Sequence, residues 1–215
     1  MALQADRWAP TWAPACTSVG VAAAVPPVDL VGQVRAVVEG WSPSTPAGAL
    51  ILYRGAVWFG EDPEGALLPE VVDALPAELE ASCTTWPGVD AAGSAEAVFR
   101  PAVLEALRGG GDLDPWTCLL ERSSLPSPVV PDTGHAPVLL VTTEEDSLVP
   151  TAPTRDVIPG LCAEGYTLEH VECAGVDHGD APMLSRSRQV GWIDARMRDE
   201  AADPGCAVSE PVSCG

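Results

Sequence analysis

Three short runs of apolar residues along the chain predict buried β-strands. The first covers residues 18–24, the second 137–143 and the third 166–173. Each run is short for a buried helix, and proline or glycine stands beside each one. The second run has the apolar character of a strand that is covered on both faces, as strands of parallel sheets are.

Helical spacing of apolar residues follows each predicted strand. Asp29 can cap a helix that continues through Val37, and further helices are predicted over residues 152–162 and 181–198. Three apolar residues are predicted on the inward face of the last helix: Val190, Ile193 and Met197. Strands that alternate with helices indicate the α/β class, with a partial sheet of about three parallel strands and flanking helices.

The sequence pattern changes between the first predicted strand and the second. Between residues 40 and 122, apolar helical windows alternate with proline and glycine, and no convincing strand pattern occurs. We therefore expect a partial core that starts in residues 1–39, an inserted helical cap over 40–122, and the rest of the core in 123–198. The stretch 199–215 is rich in Asp, Pro and Gly and is expected to be a flexible tail.

Charge and composition exclude several functions. The 215 residues include 31 acidic and 11 basic residues, and the net charge of −20 repels the phosphates of nucleic acids. Every basic residue is arginine, so no lysine can form a Schiff base or a Walker-type phosphate site, and no cofactor is predicted. No apolar run reaches the roughly 18 residues of a transmembrane helix. The amino-terminal residues lack the basic and apolar regions of a secretory signal.

Cysteine is frequent for a reduced cytosolic protein. The seven cysteines include no Cys-x-x-Cys pair, which argues against a structural zinc site. Their number suggests disulfides formed in an oxidising compartment, and an odd count leaves at least one thiol unpaired within the chain. Cys206 and Cys214 are close enough in sequence to close a small loop in the tail.

Two polar loops follow the second and third predicted strands. Asp146 comes shortly after 137–143, and His178 comes shortly after 166–173. The carboxyl ends of parallel strands meet at one edge of a sheet, so we expect these side chains to lie side by side. An imidazole beside a carboxylate is the base and its orienting acid in nucleophilic hydrolases. Asp146 and His178 are therefore the predicted catalytic residues.

Other interpretations fit the same loops. A lone histidine in a glycine-rich loop is most often a surface residue, and Asp146, His178 and Asp180 are also a conceivable metal site, although no independent motif supports it. Most neighbouring acids are expected to be solvated: Glu144, Glu145, Asp177 and Asp180. Two histidines without motif context are expected to be structural or exposed: His135 and His170.

Several stretches together resemble a known family. Residues 136–150 are similar to an acid loop that follows a buried strand, and 175–179 (Gly-Val-Asp-His-Gly) to a catalytic-histidine loop. These features resemble the carboxyl-terminal part of the α/β-hydrolases. The upstream stretch 12–30 resembles the secretory lipase group of that superfamily, in which a helical cap lies between this strand and the acid strand. The resemblance covers about residues 1–198 and implies that Asp146 is the acid and His178 the base.

The sequence departs from this family at the nucleophile. The family carries a Gly-x-Ser-x-Gly elbow, and no such pentapeptide occurs here; the nearest string, Gly40-Trp41-Ser42-Pro43-Ser44, lacks the final glycine. The resemblance places the elbow and most oxyanion-hole donors upstream of Met1. The family usually has glycine at two positions where this chain has Thr143 and Asp180. The edge of the strand 18–24 that would pair with the elbow strand is then open, which favours self-association.

The resemblance implies a carboxylic-ester hydrolase of the lipase or esterase type. Such serine hydrolases act on lipid or other ester substrates in lipid catabolism and are secreted in the resembling family. This chain would be the carboxyl-terminal portion, without the serine and nearly inactive by itself. The alternative is a non-catalytic remnant that binds an apolar ligand in the cleft of the cap. Relatives of acyl-peptide hydrolase or dienelactone hydrolase, which share the acid and base loops, are a third possibility.

Overall fold

A computed structural model describes residues 2–39, 41–81, 89, 91–111, 113–126, 135–203 and 205–215. Gly40 of the elbow-like string and Cys83 lie outside the described residues. The chain divides into two compact units. The first comprises Met1–Asp29 and Ser124–Gly215, and the second comprises Leu30–Ser123. The predicted cap, 40–122, falls within the second unit.

Four parallel strands form the sheet of the first unit. They are neighbours in chain order: β1 (Val21–Ala24), β2 (Val138–Thr143), β3 (Leu168–Cys173) and β4 (Pro211–Val212). This sheet confirms the predicted α/β class and the three predicted parallel strands. The sequence pattern does not predict β4, because two residues are too few to show an alternation of polar and apolar positions.

Both units contain α-helices. Short 3₁₀ turns also occur at Pro63–Gly65 and Ala95–Ala97. None of the helices in the described residues is both long enough and apolar enough to cross a membrane. The described α-helices, in chain order, are α1 (Ala2–Trp12), α2 (Leu30–Val38), α3 (Thr45–Phe59), α4 (Pro69–Ala81), α5 (Pro101–Arg108), α6 (Trp116–Ser123), α7 (Thr151–Ala163), α8 (Ala181–Leu184) and α9 (Arg186–Met197).

The helices of the first unit cover both faces of the sheet. Alternate residues of each strand point to opposite faces, so β1 and β2 contribute to two separate apolar clusters. On one face, Val21 and Leu140 pack in a cluster with Leu3 of α1 and Ile158 of α7. On the other face, Leu139 and Val141 pack with residues of α8 and α9. The result is a three-layer arrangement with β2 and β3 buried in the middle.

The prediction for the inward face of α9 is wrong for Val190 and Met197, whereas Ile193 is partly buried and packs against the cluster on that face of the sheet. Val190 and Met197 are 61% and 72% exposed, whereas Trp192 and Arg196 are buried. The cause is Gly20, just before β1: a Cβ atom there would lie 2.8 Å from both Trp192 and Arg196. The missing side chain leaves space that the indole ring and the arginine stem fill. The guanidinium of Arg196 lies over the Trp192 ring, 4.9 Å from its centroid, and donates to the carbonyl of Ala201 at 2.9 Å, and both contacts offset part of the cost of burying the charge.

The segment 199–215 is bound to the sheet and differs from the expected flexible tail. One disulfide joins Cys206 to Cys162 of α7, and a second joins Cys214 to Cys173 at the end of β3. The suggested loop between Cys206 and Cys214 is therefore wrong. A composition rich in Asp, Pro and Gly predicts a loose segment only where no long-range bond holds the backbone, and here two covalent bonds and β4 do so.

The second unit is built from helices around a shared apolar core. Phe99, Leu67 and Leu75 are almost completely buried in it, together with residues of α2, α3, α5 and α6. Leu67 and Phe99 also form an antiparallel bridge, which joins the segments before α4 and α5. The longest described helix of this unit, α3, is the least evident from the sequence, because its apolar residues surround it instead of forming a stripe.

Candidate active site

The acid loop begins where β2 ends. The hydroxyl of Thr151, the first residue of α7, donates to the carbonyl oxygen of Thr143 at 2.5 Å and closes the loop between them. Within the loop, Oδ1 of Asp146 accepts the backbone N–H groups of Leu148 at 2.9 Å and Val149 at 2.6 Å. The Asp146 side chain is only 2% exposed. The loop therefore folds around its own carboxylate, which holds the acid in one position.

The histidine loop begins where β3 ends. Gly175 has a φ of 63°, in the left-handed region that glycine adopts without strain, and this lets the chain turn directly after the strand. The Nδ1 atom of His178 then lies 3.0 Å from both carboxylate oxygens of Asp146. The structure thus brings together the two predicted catalytic residues at adjacent strand ends.

This geometry fixes which ring nitrogen of the neutral imidazole carries the proton. An ionised carboxylate can only accept hydrogen bonds, so the Nδ1 atom of His178 must carry the ring proton. The other nitrogen, Nε2, then has a free lone pair and can accept a proton. The His178 side chain is 27% exposed, in contrast to Asp146. The base is accessible while its orienting acid is enclosed.

A second polar link joins the two loops beside the first. The Asp177 carboxylate accepts the backbone N–H of Ser147 at 2.8 Å through one oxygen and its hydroxyl at 2.9 Å through the other. These hydrogen bonds lower the pKa of Asp177, and the nearby His178 lowers it further. Sequence reasoning treats Asp177 as a solvated acid and misses this link. The sequence offers one signal for this link: Asp177 directly precedes His178, and Ser147 directly follows Asp146.

Thr143 forms a third link between the loops. Its hydroxyl donates to the carbonyl oxygen of Val176 and lies 3.3 Å from that of Cys173. The backbone N–H of Gly175 in turn donates to Glu144 at 3.2 Å. The residues around the pair therefore bind one loop to the other at several points, and they leave the imidazole little freedom to turn away from Asp146.

The remaining polar candidates lie elsewhere or have other roles. Asp180 is exposed at the start of α8. His135 stacks on Tyr166, with ring centroids 3.8 Å apart. His170 is buried between Thr142 and Ser209, and burial lowers its pKa. Among the residues that the structure describes, no group of three or more His, Cys, Asp or Glu side chains is arranged to hold a metal ion.

The string nearest to a nucleophile elbow forms a different structure. Ser42 and Ser44 hydrogen-bond to each other through their hydroxyls at 2.8 Å, directly before α3 in the second unit. The backbone N–H of Ser42 donates to Thr45, whose hydroxyl donates to the carbonyl of Val37. These bonds order the start of a helix. They do not form the strand-to-helix turn that exposes a nucleophilic serine.

Comparison with known proteins gives similarity in structure but not in sequence. No protein-family model and no curated protein matches the chain. Lipase A of Candida antarctica in its closed state matches with a TM-score of 0.73 and 13% identity, over 98% of this chain and 50% of the lipase. A Legionella pneumophila protein assigned to the hydrolases matches with a TM-score of 0.74 and 18% identity, over 94% of this chain and 54% of its own.

A third structure extends the same similarity to an esterase. The cell-wall-degrading esterase LipA of Xanthomonas oryzae has a TM-score of 0.67 and 13% identity, over 93% of this chain and 56% of the esterase. The chain therefore spans about half the length of each of these three proteins. Identities this low carry information about fold alone. The chain has a partial α/β-hydrolase fold, which corresponds to about half of each of these structures.

Proposed function

We propose that this chain supplies the acid and the base of a carboxylic-ester hydrolase of the lipase or esterase type. The observation that carries the proposal is the contact between His178 and Asp146, with Nδ1 3.0 Å from both carboxylate oxygens. The pair occupies the carboxyl ends of adjacent parallel strands, where α/β proteins place their reactive groups. The nucleophilic serine is proposed to belong to a polypeptide segment outside these 215 residues.

The chemistry follows from the position of the ring proton. Nε2 of His178 takes the proton from a serine hydroxyl as the oxygen attacks the ester carbonyl carbon. The imidazolium that forms is stabilised by the Asp146 carboxylate at its other nitrogen. When the tetrahedral intermediate collapses, Nε2 returns the proton to the leaving alcohol. Water then repeats both steps on the acyl-enzyme, which releases the carboxylic acid and restores the serine.

An ester-hydrolysis assay tests this proposal. The 215-residue chain alone is expected to hydrolyse p-nitrophenyl butyrate close to the background rate, because it contains no nucleophile elbow. A polypeptide that contains these residues together with a Gly-x-Ser-x-Gly segment is expected to be active. In that polypeptide, Asp146→Asn should lower kcat by about 10⁴-fold, and His178→Ala should lower it by at least as much.

The control for this assay is His135→Gln, which removes a histidine of the same unit that stacks on Tyr166. This variant should keep the full rate. Retention of the rate by His178→Ala would contradict the role given to the base. Turnover by the 215-residue chain alone that depends on His178 would contradict the external origin of the nucleophile.

The open edge of β1 is the proposed position of the strand that brings the nucleophile. Among the described residues, β1 has a strand partner on one side only. The N–H of Val21 donates to the carbonyl of Pro137, directly before β2, at 2.8 Å, and that of Val25 donates to Val141 of β2 at 2.7 Å. Because backbone groups alternate in direction along a strand, those of Ala22 and Ala24 face the open side. Two isolated copies of the chain are therefore expected to associate through this edge.

Proline substitutions distinguish the two sides of β1. Ala22→Pro removes a donor from the open side and should give a monomer in analytical ultracentrifugation, while the wild-type chain self-associates. Ala23→Pro removes a donor to β2 and should unfold the first unit. A wild-type chain that remains monomeric at high concentration, or an Ala22→Pro variant that associates equally well, would contradict this use of the edge.

A further inference from the structure

Asp177, the residue directly before His178, binds to both loops of the candidate site. Its carboxylate accepts the backbone N–H of Ser147 at 2.8 Å through Oδ1 and the hydroxyl of the same residue at 2.9 Å through Oδ2. Ser147 directly follows Asp146. The backbone N–H groups of Ser147 and His178 both stabilise the ionised carboxylate and lower the pKa of Asp177. One side chain thus binds the residue next to the acid and the backbone of the base.

Three successive backbone N–H groups of the acid loop are shared between two carboxylates. Asp177 accepts the N–H of Ser147, and Asp146 accepts those of Leu148 and Val149. The turn that holds the Asp146 side chain therefore has a second anchor, and this anchor lies in the histidine loop. Hydrogen bonds to a carboxylate are charge-assisted and about twice as strong as those between neutral groups.

Asp177 is itself held in place through its backbone. Its carbonyl oxygen accepts the N–H groups of Asp180 and Ala181, at 3.1 and 3.2 Å, where α8 begins. Ala181 is completely buried in the apolar cluster on that face of the sheet. The backbone of Asp177 is therefore fixed to the core, and its side chain can impose that position on the acid loop.

The other links between the loops lie closer to the strands. The hydroxyl of Thr143 donates to the carbonyl oxygen of Val176, and the N–H of Gly175 donates to Glu144. These links join residues at the last position of a strand or shortly after it. The link made by Asp177 lies farther along both loops, beside the acid and the base. Its loss should therefore free these two side chains and leave the beginning of each loop in place.

We propose that Asp177 is a positioning residue: by binding Ser147, it holds the carboxylate of Asp146 against Nδ1 of His178. For its effect on a reaction, this role rests on the proposed hydrolase function. Its effect on the imidazole exists in the 215-residue chain with or without a nucleophile. Asp177 transfers no proton itself and acts only through the positions of its neighbours.

Histidine ¹⁵N spectra of the 215-residue chain, recorded above the ordinary histidine pKa, measure the fraction of His178 that carries its ring proton on Nδ1. Asp177→Ala should lower this fraction and give a mixture of the two tautomers, because the acid loop loses its second anchor. Asp177→Asn should keep most of it, because the amide oxygen accepts the N–H of Ser147 and the amide N–H₂ group donates to the hydroxyl. The control is Asp180→Ala, which removes an exposed acid of the same loop whose side chain makes no capping hydrogen bond, and it should change nothing.

Two further measurements separate a local effect from unfolding. His170 hydrogen-bonds to Thr142 and Ser209, and its tautomer should be the same in every variant that remains folded. Ser147→Ala removes only the hydroxyl partner and should lower the Nδ1–H fraction of His178 by a smaller amount. Addition of Ser147→Ala to Asp177→Ala should have no further effect, because the two side chains act through one contact.

Kinetics of a polypeptide that also contains a Gly-x-Ser-x-Gly segment test the consequence for the reaction. Asp177→Ala should lower kcat for p-nitrophenyl butyrate about tenfold and leave KM unchanged, and Asp177→Asn should restore most of the rate. A folded Asp177→Ala variant with the wild-type tautomer of His178 would overturn the proposal. Equal losses in Asp177→Ala and Asp177→Asn would also overturn it, because they would assign the effect to charge. A tautomer change without ester hydrolysis in any variant or in the wild type would support the positioning role and contradict the proposed hydrolase function.

Discussion

The two units of this molecule hold their candidate sites in different ways. In the first unit, Asp146 and His178 lie on short loops that backbone hydrogen bonds and neighbouring polar side chains join together. In the second unit, an apolar cleft is lined by side chains of α3 and α6, and Arg54 is the one charged residue among the described residues that line it. A reaction that moves a proton between defined atoms needs fixed positions, whereas an apolar ligand is bound by area and tolerates adjustment.

The units also differ in covalent support. Two disulfides bind the carboxyl-terminal segment of the first unit to α7 and to β3. The structure describes no disulfide in the second unit, and its one described cysteine, Cys118, is free and exposed. The Cys173–Cys214 bond is attached at the last residue of β3, directly before the loop that carries His178. The stability of the first unit should therefore depend on oxidation, and that of the second unit on side-chain packing alone.

The largest expected effect comes from removal of the disulfides. They close sequence separations of 44 and 41 residues, and loop entropy gives about 4 kcal/mol of stability for each. Replacement of Cys162 and Cys206 by serine should lower the free energy of unfolding in urea by that order. The same replacement at Cys16 and Cys118, which are free and exposed, is the control and should have no effect. Equal effects in the two variants would contradict the structural role of the bonds.

A smaller effect is expected from two glycines of α3, and it tests packing in the second unit. A Cβ atom at Gly48 would lie 2.6 Å from Val37 of α2, whereas one at Gly55 would meet nothing. Gly48→Ala should therefore destabilise the unit by about 1–3 kcal/mol through overpacking. Gly55→Ala should stabilise it by up to about 1 kcal/mol through helix propensity. Thermal unfolding of both variants measures the difference, and a reversed order would show that α2 and α3 do not pack in this way.

The smallest effect is a dependence of stability on pH that is specific to the first unit. Burial lowers the pKa of His170, so the folded state resists protonation more than the unfolded chain does. The contribution of His170 to stability is complete above the ordinary pKa of about 6.5 and decreases as the pH falls below it. The slope for one proton is at most about 1.4 kcal/mol per pH unit. His170→Gln should reduce the loss of unfolding free energy between pH 7.5 and 5.5. An unchanged loss would contradict the assignment of this pH dependence to His170.

The sequence predicts those features that depend on local pattern and on the rules of chain connection. Short apolar runs separated by helical stretches leave few arrangements other than a parallel sheet, and a parallel sheet brings adjacent strand ends together. For this reason the contact between Asp146 and His178 can be anticipated without coordinates. Predicting this contact does not require exact knowledge of where either strand begins and ends.

Features that depend on partners far away in sequence are not predictable in the same way. The cysteine pairing, the strand at Pro211–Val212 and the buried position of Arg196 each result from contacts with a distant segment. Gly20 illustrates the reason, since its missing side chain determines which face of α9 is inward. The link between Asp177 and Ser147 is a similar case, because the hydrogen bond exists only after the two loops are side by side.

Nuclear magnetic resonance of the histidine rings tests the central claim most directly, on protein labelled with ¹⁵N at histidine and kept above the ordinary histidine pKa. The structure assigns opposite tautomers to two histidines of one unit. His178 carries its proton on Nδ1, because Asp146 can only accept. His170 carries its proton on Nε2, because its Nδ1 accepts the backbone N–H of Ser209.

We expect ¹⁵N shifts that identify the Nδ1–H form for His178 and the Nε2–H form for His170. The Asp146→Asn substitution should remove the preference of His178 and leave His170 unchanged. A spectrum in which wild-type His178 carries its proton on Nε2 would contradict the account, because the nitrogen that must receive the serine proton would already be occupied.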